Sequence, residues 1–148
     1  MASTYLCLYY HLIFATKDRE SLITPAWRSR LHQYLGGAIN NLGGQSGAVG
    51  GTADHVHVLA ELRATHALAD FMRELKKGSS MWIHQEIRNS RFAWQEGYAA
   101  FSVSASVVDE VRHYIENQDE HHRNRSSFEE LRIMLERARV PIDERYFE

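Results

Sequence analysis

His55 and His57 stand two residues apart, and Tyr114 and Gln118 four apart, in a chain of 148 residues. On a strand, positions i and i+2 project from one face. Two imidazoles placed that way can converge on one divalent ion and leave room for a third ligand, water and substrate. On a helix, positions i and i+4 stack one turn apart. A tyrosine hydroxyl there can attack a phosphodiester once something lowers its pKa from about 10, and a divalent ion would polarise the phosphoryl oxygen. Gln118 offers a neutral carbonyl oxygen, a fair third ligand for a hard cation beside two imidazoles. Each pair also has a plainer reading: two incidental surface histidines, and a half-buried tyrosine beside a solvated glutamine.

The elements that must position these groups follow from periodicity. Thr4 to Thr16 is almost continuously apolar and aromatic, which predicts a strand buried on both faces. Thr24-Pro25 predicts a capped start for a helix whose apolar face runs Trp27, Leu31, Tyr34, Leu35, Ala38, Ile39, Leu42, with Gly43-Gly44 closing it. Gln45 to Thr52 is a weak strand or hairpin arm. In residues 55–62, His55, His57, Leu59 and Glu61 alternate with Val56, Val58, Ala60 and Leu62, which predicts a strand with the histidines on one face. Thr65 is read as the cap of a helix carrying Leu68, Phe71, Met72 and Leu75, with a bend at Gly78-Ser79-Ser80 before Met81 to Arg88 continues it. Tyr98 to Ser104 alternates as a strand. Ser106, with Asp109 completing a capping box, opens the helix that bears Tyr114, and Ser126-Ser127 opens a last one running to Arg139 before Pro141.

The first six elements match the split β-α-β-β-α-β ferredoxin-like motif. The expected fold is therefore α+β: an antiparallel sheet with helices on one face and appended C-terminal helices. The expected organisation is one domain over 1–148, with a helical extension over about 119–148.

Composition narrows the classes. One cysteine rules out a disulfide framework and suits a reducing compartment; Cys7 is read as packing within the first strand. No apolar run reaches the roughly 18–20 residues that span a bilayer, and the N-terminus lacks a basic, cleavable leader, so a cytoplasmic protein is expected. Seventeen Lys and Arg against nineteen Asp and Glu give a formal net charge of −2, where a nucleic-acid binder is usually basic. Residues 1–78 hold eight cations and six acids, and residues 79–148 hold nine and thirteen. A polyanion site must then be a local patch, for which Lys17, Arg73, Lys76 and Lys77 are the candidates. His121-His122 reads as a solvated terminus and His11 as a core or edge histidine. Histidine-triad hydrolases need a third histidine where Leu59 stands, and phosphate-loop, dinucleotide, HExxH and GxSxG signatures are absent.

Five collinear segments, YHLIFATKDR (10–19), GGTADHVHVLAEL (50–62), FMRELKKGSS (71–80), GYAAFSVS (97–104) and VRHYIENQ (111–118), resemble the single-tyrosine HUH transposases of bacterial insertion sequences and their REP-associated relatives. Residues 128–148 resemble the tail of the REP-associated branch. The resemblance implies Tyr114 as nucleophile, His55, His57 and Gln118 around Mg²⁺ or Mn²⁺, and cleavage of single-stranded DNA with hairpin ends through a 5′-phosphotyrosine. It also implies a homodimer. Two alternatives stand beside it: a catalytically silent or domesticated hairpin-binding relative, and an unrelated metal-binding ferredoxin-like protein.

Overall fold

A computed structural model describes residues 3–118 and 126–143. Four strands, β1 (Tyr9–Ala15), β2 (Gln45–Gly51), β3 (His55–Glu61) and β4 (Ala99–Val103), form one sheet in the order β2-β3-β1-β4. Every neighbouring pair is antiparallel. With α1 (Pro25–Asn41) between β1 and β2 and α2 (Leu68–Trp82) between β3 and β4, this is the expected ferredoxin-like topology. α3 (Val108–Glu116) and α4 (Ser127–Arg137) follow. Among the described residues no helix is long and apolar enough to cross a membrane.

The central strands are buried on both faces because helices cover both. Leu12 and Phe14 of β1 and Val56, Val58 and Ala60 of β3 pack with Leu31, Leu35 and Ile39 of α1 and Phe71, Met72 and Leu75 of α2. On the other face Ala48, Leu59 and Val103 meet Val108 and Ile115 of α3. Burying one such aliphatic side chain contributes about 1.5–3 kcal/mol, so each face has its own reason to hold its helices.

Local details depart from the expectations in instructive ways. β1 begins at Tyr9 rather than Thr4, because its ladder with β3 ends at the Tyr9–Glu61 pair. Without a partner strand, Tyr5 is 90% exposed and Cys7 is exposed rather than packed. α1 starts on Pro25 as expected, but Thr24 makes no side-chain cap bond. α2 starts at Leu68, not after Thr65, because His66 ties the intervening turn: its Nδ1 accepts from the Arg63 N–H at 2.8 Å. Gly78-Ser79-Ser80 does not bend α2. Ser79 is buried, its Oγ donating to the Leu75 carbonyl at 2.8 Å, and a Cβ at Gly78 would come within 3.1 Å of the Tyr34 hydroxyl on α1. The small residues let two helices approach. A π-helical turn, Ile83–Ile87, follows and ends at Arg88 in the left-handed conformation, φ 64°. Ser106 lies inside a 3₁₀ turn (Ala105–Val107), so the expected capping box with Asp109 is not formed. α4 is capped as expected, Ser126 Oγ accepting from the Glu129 N–H at 3.2 Å.

Candidate functional site

Alternation on β3 sends Val56 and Val58 into the α1–α2 core and turns His55 and His57 to the opposite face. Both histidines are buried, at 1% and 2% exposure, and each is held through its Nδ1. His55 Nδ1 lies 2.7 Å from Asp54 Oδ1 and 3.1 Å from Thr52 Oγ1. Burial works to raise the Asp54 carboxyl, but the bond and charge of His55, helped by Ser127 and Arg19, outweigh it and hold that carboxyl below its usual value. His57 Nδ1 lies 2.7 Å from His11 Nε2. His11 is 4% exposed, and burial pushes its pKa down to about 4, so it stays neutral at pH 7.

With the Nδ1 atoms held, both Nε2 atoms face oxygens: His55 Nε2 is 3.3 Å from Gln118 Oε1, and His57 Nε2 is 3.4 Å from Glu130 Oε1. Histidines that ligate metals are commonly fixed this way through their second nitrogen. Two imidazoles with an amide oxygen and a nearby carboxylate form a mixed nitrogen–oxygen donor set of the kind that can hold a divalent ion. Among the described residues no group of three His, Cys, Asp or Glu side chains is arranged to hold an ion; a third ligand here would have to be the Gln118 amide.

α3 brings Tyr114 to this face; Gln118 follows it there from beyond the helix end at Glu116, rather than from the same helix as the four-residue spacing predicts. Ile115, fully buried, and Val108 anchor the helix against β2 and β3, and Arg112 Nε donates to the Gly47 carbonyl at 3.1 Å. Gly50 makes the close seating possible, since a Cβ there would fall on the Ile115 carbonyl. The Tyr114 ring centroid is then 5.9 Å from that of His57 and 6.1 Å from that of His11. Gln118 is buried, its Nε2 donating to the Tyr114 carbonyl at 3.3 Å. The four residues singled out by spacing thus meet within one chain.

Two participants escaped the sequence reading. His11 is the buried strand histidine its surroundings predict, and only its parity on β1 tells that it faces His57 once β1 and β3 are paired. Glu130 gave no local signal, because only the docking of α4 decides which of Glu129 and Glu130 turns inward. Its carboxylate accepts a hydrogen bond from the Tyr114 hydroxyl. Burial pushes its pKa up to about 7 against the opposing charge of His55. Ser127 helps dock α4, its Oγ donating to Asp54 Oδ2 at 3.3 Å.

The basic candidates lie apart from this constellation. Arg73 and Lys77 are exposed on α2, which packs on the far face of the sheet, and Arg73 pairs with Asp70 at 3.0 Å. Lys76 Nζ donates to the carbonyls of Gln95 and Gly97 at 2.6 and 2.7 Å. Lys17 is exposed in a short helical turn after β1. His121-His122 lies outside the described residues.

The residue pattern described as "Transposase IS200 like" matches residues 4–118, and the chain belongs to that family. Among solved structures, a candidate transposase from Deinococcus radiodurans R1 is similar at 26% identity and a TM-score of 0.64, over 80% of this chain and 96% of that one. A REP-associated tyrosine transposase solved with a REP hairpin shares the fold at 13% identity and a TM-score of 0.52, over 78% of this chain and 68% of that one. Comparison with curated protein sequences gives no match.

Proposed function

We propose that this transposase cleaves and rejoins single-stranded DNA at hairpin-bearing ends, with Tyr114 as nucleophile and His55, His57 and Gln118 holding Mg²⁺ or Mn²⁺. The observation that carries the reading is the half-buried Tyr114 ring standing 5.9 Å from the buried His57 ring, which itself lies 5.0 Å from His55. When bound, the ion would act as a Lewis acid on a non-bridging oxygen of the scissile phosphate. The Tyr114 oxygen attacks phosphorus, the bond to the 3′-oxygen breaks, and the products are a 5′-phosphotyrosine and a free 3′-hydroxyl. Glu130, already hydrogen-bonded to the phenol, is the acceptor for its proton. Another 3′-hydroxyl reverses the step, so the phosphodiester energy is conserved and no nucleotide cofactor is consumed. Joining two ends suits a pair of copies, and a symmetric homodimer is the common form. Phosphate contacts by Lys17, Arg73, Lys76 or Lys77 would be few in so acidic a chain, which implies a shallow salt dependence.

The test uses labelled single strands carrying the palindromes that flank the gene. A detergent-resistant protein–DNA adduct should form only with divalent metal and vanish in Tyr114→Phe. An adduct that survives in Tyr114→Phe means the nucleophile is elsewhere. One observation favours a second reading, a hairpin-binding relative without turnover: Glu130 Oε1 stands 3.4 Å from His57 Nε2, on the side where an ion would bind. Hairpin binding with no adduct in either Mg²⁺ or Mn²⁺ would mark that case.

A further inference from the structure

A cleft of about 550 Å³ opens between α4 and the β1–β4 half of the sheet, and His55 forms part of its wall. We propose that this cleft is a nucleoside subsite, taking the base next to the phosphate that sits at His55; the proposal rests on the single-stranded DNA reading above. The volume lies within the roughly 300–1,000 Å³ typical of small-ligand sites and accommodates one nucleotide.

Its chemistry suits a flat ring with polar edges. Ile13 and Ala99, paired across β1 and β4, offer one apolar wall, and Leu131 and Leu135 of α4 offer the other. The inner end is polar, formed by His55 and Ser127, whose hydroxyl is already bonded to Asp54. A hydrocarbon chain would want that end apolar. At the mouth stand Tyr98, 40% exposed and free to stack on a base, and the Arg19 guanidinium, 5.2 Å from the Phe128 ring. Stacking on an aromatic face together with a nearby cation is how proteins hold single strands.

The mouth is also built rather than incidental. Asp18 and Arg19 both adopt positive φ, 56° and 53°, a conformation that non-glycine residues avoid unless the surroundings impose it. Gln95 Oε1 accepts from the Asp18 N–H at 2.9 Å, and the Gln95 N–H donates to the Ala15 carbonyl at 2.8 Å. Lys76 fastens the same loop through the Gln95 and Gly97 carbonyls. In this arrangement Lys76 shapes a nucleotide site through the backbone it holds.

The experiment follows methyl NMR signals of the full chain during titration with dAMP, dGMP, dCMP and dTMP, and with decanoate as an apolar control. At least one nucleotide should shift the Ile13, Ala99, Leu131 and Leu135 methyls, and affinity should fall at least tenfold in Ala99→Trp and severalfold in Tyr98→Ala or Arg19→Gln. Tyr98→Ala, on an exposed side chain, keeps the test open if the tryptophan disturbs folding. Decanoate shifting these methyls while no nucleotide does overturns the proposal, as does nucleotide binding unaffected by all three substitutions. Tyr114 adduct formation is measured in parallel. Nucleotide binding without any adduct leaves the subsite standing and removes the transfer chemistry, whereas an adduct with no methyl shifts removes the subsite alone.

Discussion

The hydroxyl of Tyr114 on α3 donates a hydrogen bond to the carboxylate of Glu130 on α4, so the candidate nucleophile and the C-terminal helix hold one another in place. Above about pH 8, where the Glu130 carboxyl is ionised, a hydrogen bond to such a charged group contributes about 1.5–3 kcal/mol. Glu130→Ala should therefore speed amide exchange across 127–137 by roughly ten- to a hundredfold, with β1 and β3 unaffected. Glu130→Gln, which keeps a carbonyl acceptor, should do less. Equal exchange in wild type and Glu130→Ala would mean that α4 is held by its other contacts.

His11 makes stability depend on pH. Its folded pKa, about 4, lies below the ordinary 6.5 because burial disfavours the cation. A histidine so depressed contributes stability fully above pH 6.5 and loses it as pH falls toward 4, here by about 3 kcal/mol. Urea unfolding at pH 7 and pH 4 should show this loss in wild type and a smaller one in His11→Gln. Parallel curves for the two proteins would remove His11 as the source.

Two glycines should respond oppositely to alanine. At Gly50 the new methyl collides with the Ile115 backbone carbonyl, so Gly50→Ala should cost about 1–3 kcal/mol and weaken or abolish adduct formation as α3 lifts. At Gly37, within α1, a Cβ meets nothing within 4 Å, and Gly37→Ala should stabilise by about 0.5–1 kcal/mol. Thermal denaturation of both variants decides the matter; a harmless Gly50→Ala would mean that α3 sits farther from β2.

Tyr114 faces the histidines of its own chain. A mixture of His57→Ala and Tyr114→Phe proteins should therefore form no more adduct than either alone. Recovery toward a quarter or more of wild-type yield would show helices exchanged between copies.

Much of this was legible because β3 obeys a period of two and α3 a helical period: Val56 and Val58 fix which way His55 and His57 turn, and Val111 and Ile115 fix the face that Tyr114 flanks, while Gln118 reaches the site from past the end of α3. What stayed hidden depends on contacts distant in sequence. Nothing near Glu130 reports Tyr114, and Lys76 reads as a free cation until the Gln95 and Gly97 carbonyls stand beside it. The caps at Thr65 and Ser106 failed for a related reason. The turns there were settled by other bonds, the His66 ring to the Arg63 amide in one case and the Val107 N–H to the Ser104 carbonyl in the other, leaving those hydroxyls no role in starting a helix.

The bare α-carbon at position 50 has a consequence for recognising dead copies of such genes. A homologue could keep every residue that motif inspection checks and still be inert if any side chain larger than hydrogen stood there, its phenol propped away from the imidazoles. Such a lesion would be silent to pattern searches and visible only in the depth of a helix.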